Sequence, residues 1–122
     1  MSQTARPFPN TDPRASPRSP IPVTEARSIA GMDVFFGYAL NISRGGAFIA
    51  TTKYRQPGEE YRIRFRLPGL DRPPFCCQAR VVWVRRYHHG CHMAAGFGLR
   101  FLDLAEADAR AIDEWVRSVA AR

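Results

Sequence analysis

The chain has 122 residues, a net charge of +7 and 45% hydrophobic residues, enough for one domain with a modest core that needs no covalent staples. No apolar run is long enough to cross a bilayer, no charged start followed by an apolar stretch reads as a signal peptide, and the odd set of Cys76, Cys77 and Cys91 does not read as a disulfide framework. A reduced, cytoplasmic setting without membrane insertion is expected, and so is an anionic partner, because Lys53 is the only lysine among the 18 basic residues and arginine's planar fork suits phosphates and guanine edges.

In chain order, residues 1–22 hold Pro7, Pro9, Pro13, Pro17, Pro20 and Pro22 with few large apolar side chains, which reads as a flexible arm. From Val23 to the end the chain reads as one domain. Short β segments are expected at 23–29, 34–40, 47–51, 61–67, 75–87 and 96–101, punctuated by Gly31, the 41–46 turn, Gln56-Pro57-Gly58-Glu59, the 68–74 loop and a His/Gly turn. Many short strands separated by Gly and Pro argue for a small barrel or sandwich. The end changes period: Ile112, Trp115, Val116 and Val119 recur at helical spacing, Asp103 and Glu106 form an Asp-x-x-Glu capping pair, and acids lead while Arg117 and Arg122 trail. One amphipathic helix laid on the barrel is expected, with Trp115 buried beneath it.

Two clusters carry the chemistry. Asn41-Ile42-Ser43-Arg44-Gly45-Gly46 puts an amide, a hydroxyl and two glycines into one turn; Asn and Ser bond locally to backbone, and Gly supplies positive φ and close approach. Arg14 and Arg18 form an Arg-x-x-x-Arg in the arm. The same spacing recurs at Arg62 and Arg66, but there strict alternation with Ile63, Phe65 and Leu67 explains the arginines as a solvated strand face. Nothing periodic surrounds the arm pair.

Taken together, Arg14, Arg18, Asn41, Ser43 and Gly46 resemble the pattern of the PilZ family, an Arg-x-x-x-Arg followed by an Asp/Asn-x-Ser-x-x-Gly turn. The stretches 81–84 (Val-Val-Trp-Val) and 96–102 (Gly-Phe-Gly-Leu-Arg-Phe-Leu) are similar to the family's later strands, and residues 41–51 are similar to compact single-domain members abundant in myxobacteria. The resemblance implies a mainly β fold, a six-stranded PilZ-type β-barrel with the C-terminal amphipathic helix and the flexible arm. It also implies a cyclic di-GMP receptor that signals through an unidentified protein partner to motility, adhesion or polysaccharide machinery. In that scheme Arg14 and Arg18 take the ligand's phosphates and a guanine edge, Asn41 and Ser43 bond guanine from the barrel, Gly46 holds the turn open, and Arg44 is a further candidate beside them.

Other readings compete. A PilZ-type barrel that has lost its ligand would act as a protein adaptor. A basic single-stranded nucleic-acid binder would need aromatic and basic residues interleaved, whereas Phe65 alternates away from Arg62, Arg64 and Arg66, so nucleic acid is not an expected partner. The run His88-His89-Gly90-Cys91-His92 lacks paired metal-ligand spacing and reads as a hairpin turn, not a zinc site. Ser43 has no His/Asp company and no phosphate-loop signature is present; neither enzymatic activity nor a cofactor is expected.

Overall fold

The computed structural model describes residues 20–26, 33–53, 55–90 and 93–120. Six strands, β1 (Ile21–Ala26), β2 (Asp33–Ile42), β3 (Gly46–Ala50), β4 (Glu60–Phe65), β5 (Phe75–Arg85) and β6 (Gly96–Phe101), are followed by one helix, α1 (Glu106–Ala120). The strands close into an antiparallel barrel in the order β1-β2-β3-β6-β5-β4. Closure leaves no unpaired sheet edge, so a basic chain of this size keeps its backbone groups paired without a second layer.

Alternation decides which side chains fill the barrel. Ile21, Val23, Ala47, Ile49, Ile63, Phe65, Phe75, Cys77, Ala79, Val81, Phe97 and Leu99 point inward and are buried. The arginines of β4 and the one just after it point outward as expected, and each meets a partner: Arg62 pairs with Asp103 at 3.3 Å, Arg64 with Asp33, and Arg66 donates to the Arg72 carbonyl at 3.1 Å. Bulges near Val23, Leu40 and Val82 shift the register locally. They bend the strands enough to close so small a barrel.

The strand starts differ from the sequence expectation by one or two residues. β1 begins at Ile21, which is fully buried, rather than at Val23, and β2 runs through Ile42. The expected Gly31 turn, the arm arginines Arg14 and Arg18, Cys91 and His92 lie outside the described residues. His88 and His89 are exposed.

Asp103 does not cap the helix. The helix begins at Glu106, so Asp103 sits two residues ahead of the capping position. Its carboxylate instead accepts from the Gln78 backbone N–H at 2.6 Å and from Arg62, joining the chain after β6 to β4 and β5. Gln78 lies one residue before the β5 pairing with β6 begins, so its N–H faces the chain just past β6 and is met there by Asp103.

Helix α1 crosses one end of the barrel. Ala109, Ile112 and Trp115 form its buried face, and Trp115 donates its indole N–H to the Pro68 carbonyl at 2.8 Å. Arg72 ties the same loop to Asp108 at 3.0 Å while stacking on Phe75, 3.9 Å from the ring centroid. At the opposite end, Arg55 lies over Phe36 and Tyr61, 4.9 and 4.7 Å from their centroids, and donates to the Tyr61 hydroxyl.

Candidate functional site

The turn singled out in the sequence is the tip of the β2–β3 hairpin. Ile42 pairs with Ala47, the Ser43 N–H donates to the Gly46 carbonyl at 2.8 Å, and Arg44 and Gly45 are left at the apex. The Ser43 hydroxyl accepts from the Gly45 N–H at 3.2 Å and lies 3.5 Å from the Gly46 carbonyl. The first contact fixes the side chain; the second is at the limit of hydrogen-bond range, so the hydroxyl proton is free to turn toward an incoming acceptor.

The glycines act otherwise than expected. The left-handed glycines among the described residues are Gly58, Gly69 and Gly90, all outside this turn. Gly46 is a buried strand residue paired with Arg100, and the Gly45 carbonyl accepts from the Phe101 N–H at 2.9 Å. The turn is closed by the Ser43 backbone and side chain, so positive φ is not needed there.

Asn41 sits just after the bulge at Leu40, which turns it to the outer side of the barrel opposite Phe48. It is only 3% exposed, and its Oδ1 has no hydrogen-bond partner among the described residues. An orphaned buried carbonyl oxygen costs about 1–3 kcal/mol, which a donor delivered to this spot would recover.

The outer surface beside Asn41 is aromatic, a feature the sequence reading did not single out. Cross-strand register sets Asn41 beside Phe48, Phe48 beside Gly98 and Gly98 beside Trp83, one row over four strands. Phe48 and Trp83 stack with centroids 5.4 Å apart and planes 19° from parallel. Arg85 brings its guanidinium to 4.9 Å from the Phe48 centroid and 5.5 Å from that of Trp83. Gly98 makes this possible, since a Cβ there would lie 2.3 Å from the indole nitrogen. The signal in the sequence was the outward position of Trp83, but the bulge at Val82 hides it from simple alternation.

Arg44 reaches away from this surface toward α1. Its guanidinium is 3.1 and 3.2 Å from the two Glu106 carboxylate oxygens and 3.6 Å from Asp113.

The structure therefore brings Asn41, Ser43, Arg44 and Gly46 together on one hairpin end, while Arg14 and Arg18 lie outside the described residues. The register also fixes where the chain enters the barrel. Ile21 pairs with Ala39, two residues before Asn41, so β1 starts at the hairpin-tip end. No cluster of three or more metal-ligating side chains occurs among the described residues, and none of their helices is long and apolar enough to cross a membrane.

Known structures share this architecture. The inhibitor of motility MotI/DgrA of Bacillus subtilis matches with a TM-score of 0.65 and 18% identity over 84% of this chain. The present chain spans about half of that protein, 47% of its length. A PilZ domain of YcgR from Escherichia coli, solved with c-di-GMP, matches with a TM-score of 0.60 and 16% identity, covering 88% of this chain and 87% of that one. At such identities the likeness is one of fold. No curated protein sequence matches significantly. The family model for the PilZ domain, however, matches residues 12–118, and a match over nearly the whole chain makes this protein a member of the PilZ domain family.

Proposed function

We propose that this barrel is a receptor for cyclic di-GMP that closes its N-terminal arm over the ligand and passes the signal on by protein contact. The observation that carries the reading is the pairing of Ile21 with Ala39 next to a buried Asn41 whose Oδ1 has no donor among the described residues. Arg18 is three residues from Ile21, within about 10 Å of chain reach, and Arg14 within about 25 Å. Both guanidinium groups are thus tethered within range of the hairpin tip.

The chemistry is complementary. The Watson–Crick edge of guanine offers the N1–H and N2–H donors that Asn41 Oδ1 lacks, Ser43 supplies a hydroxyl that can reorient, and Gly46 keeps the hairpin backbone compact beneath them. Arg14 and Arg18 supply charge-assisted, bidentate contacts to phosphate and to the O6/N7 edge of guanine. The relatives support the ligand: the YcgR domain was solved with c-di-GMP, and MotI/DgrA is described as an inhibitor of motility. Motility is accordingly one candidate output beside adhesion and polysaccharide machinery, and a cytoplasmic protein partner would read the closed arm.

Magnitudes set the demand. Ordering several arm residues costs about 1 kcal/mol or more each, and micromolar affinity requires a net of about 8 kcal/mol. Two arginines with satisfied partners meet this demand, whereas one does not. Calorimetric titration of cyclic di-GMP is the test: wild type binds, and R14A, R18A and N41A each lose measurable heat. Unchanged isotherms for both arginine variants would exclude the clamp, and a silent wild type would leave an adaptor that works by protein contact alone.

A further inference from the structure

Arg44 occupies a place in the hairpin that the binding scheme leaves open, and its present partners give it a role. It sits at the apex between Ser43 and Gly46, yet its guanidinium is turned to α1, with Nη2 shared between both oxygens of Glu106 and Nη1 within 3.6 Å of Asp113. The side chains are open to water, Arg44 46% and Glu106 66% exposed, so the attraction is screened and holds Arg44 by a factor of about five at most. The two carboxylates also have second partners. Glu106 lies 3.8 Å from Arg110 and Asp113 lies 3.6 Å from Arg117. Departure of Arg44 therefore leaves neither acid without a cation.

We infer that Arg44 is a stored cation: α1 holds it on Glu106 and Asp113 in the empty barrel, and a phosphate of the ligand bound at Asn41 and Ser43 draws it across. The helix carboxylates are then an internal competitor for the ligand, and they set its affinity. The inference rests on the receptor reading above and deepens it. A weak, doubly backed pair suits this use, because a tight buried pair would not release its arginine to a solvated phosphate. The tether is short: Arg44 is the residue directly after Ser43, so its guanidinium stays within one side chain's length of the hairpin tip.

The test is a thermodynamic cycle on the full chain. Cyclic di-GMP is titrated into wild type, E106Q/D113N, R44A and R44A/E106Q/D113N, with circular dichroism melts showing that each variant folds. E106Q/D113N is expected to bind about three- to fivefold more tightly than wild type and R44A more weakly. In the R44A background the same two substitutions should change affinity by less than about 1.5-fold, since there is no arginine left to release. Equal tightening in both backgrounds would mean that the acids act only through their field, and would overturn the inference. So would an R44A variant that binds like wild type, with the receptor reading intact. Absence of heat in all four proteins would instead remove the receptor reading itself, and the inference with it.

Discussion

Gly96 and Gly98 stand two residues apart on β6, and they answer to different neighbours. A Cβ at Gly96 would fall 1.9 Å from the Ile49 carbonyl oxygen and 2.9 Å from its carbon, backbone atoms of the paired strand that cannot withdraw without opening the barrel. At Gly98 the obstacle is the Trp83 indole, at 2.3 to 2.9 Å, a side chain that can tilt away. G96A is therefore expected to cost more than about 3 kcal/mol and G98A about 1–2 kcal/mol. Melting temperatures should fall by more than about 12 °C and by about 4–8 °C respectively; equal losses would show that the two contacts were misjudged. The core thiol gives a pH signature. Burial, with Asp103 nearby, pushes Cys77 up from 9.0 to about 12. The folded state thus holds a proton that the unfolded chain releases first, so its contribution is complete below pH 9 and drains between pH 9 and about 12. Denaturant unfolding over that range should show wild type losing up to about 1.4 kcal/mol per pH unit more than C77A. Parallel curves would remove the assignment.

At the scale of elements, α1 is held by its apolar face, by exposed ion pairs of Arg72 and Arg44 with its carboxylates, and by one buried-side bond from Trp115. Replacing Trp115 with Phe removes the 2.8 Å bond to the Pro68 carbonyl and part of the indole's packing. About 1–3 kcal/mol should be lost in chemical denaturation, and a variant as stable as wild type would show that loop and helix are joined by other contacts. The helix also shows what a sequence can convey. Its apolar stripe at Ile112 and Trp115 was legible because it repeats within one element. Asp103 was misassigned because its partners, Gln78 and Arg62, are 25 and 41 residues away. The strands were legible for the same local reason, and their ends less so: Ile21 follows Pro20 and precedes Pro22, and only its partner Ala39 reveals it as a strand residue. Asn41, Ser43 and Gly46 were legible as a turn, whereas the left-handed glycine expected there was not needed once Ser43 closed the hairpin.

For the molecule as a whole, closure gathers what the sequence separates. The start of β1, the hairpin tip and α1 all meet at one end of the barrel, and the Pro68 loop joins them there. Their convergence follows from antiparallel order around the ring and could not be read from any single segment. The row of Asn41, Phe48, Gly98 and Trp83 was equally hidden, because it depends on bulges in two different strands. Removing residues 1–19 should leave the melting temperature within about 3 °C of wild type while abolishing cyclic di-GMP binding; retained affinity would place the site on the barrel alone. The stacked indole has one more consequence, an optical one. The chain holds two tryptophans, and Trp115 is buried under α1, whereas Trp83 is half-open on the outer wall in the row that begins at Asn41. In W115F the remaining emission comes from an indole beside the proposed site, so a purine arriving there should dim or shift it as titration proceeds. The barrel then carries its own fluorescent gauge of occupancy, and a flat signal at saturating ligand would place the nucleotide elsewhere.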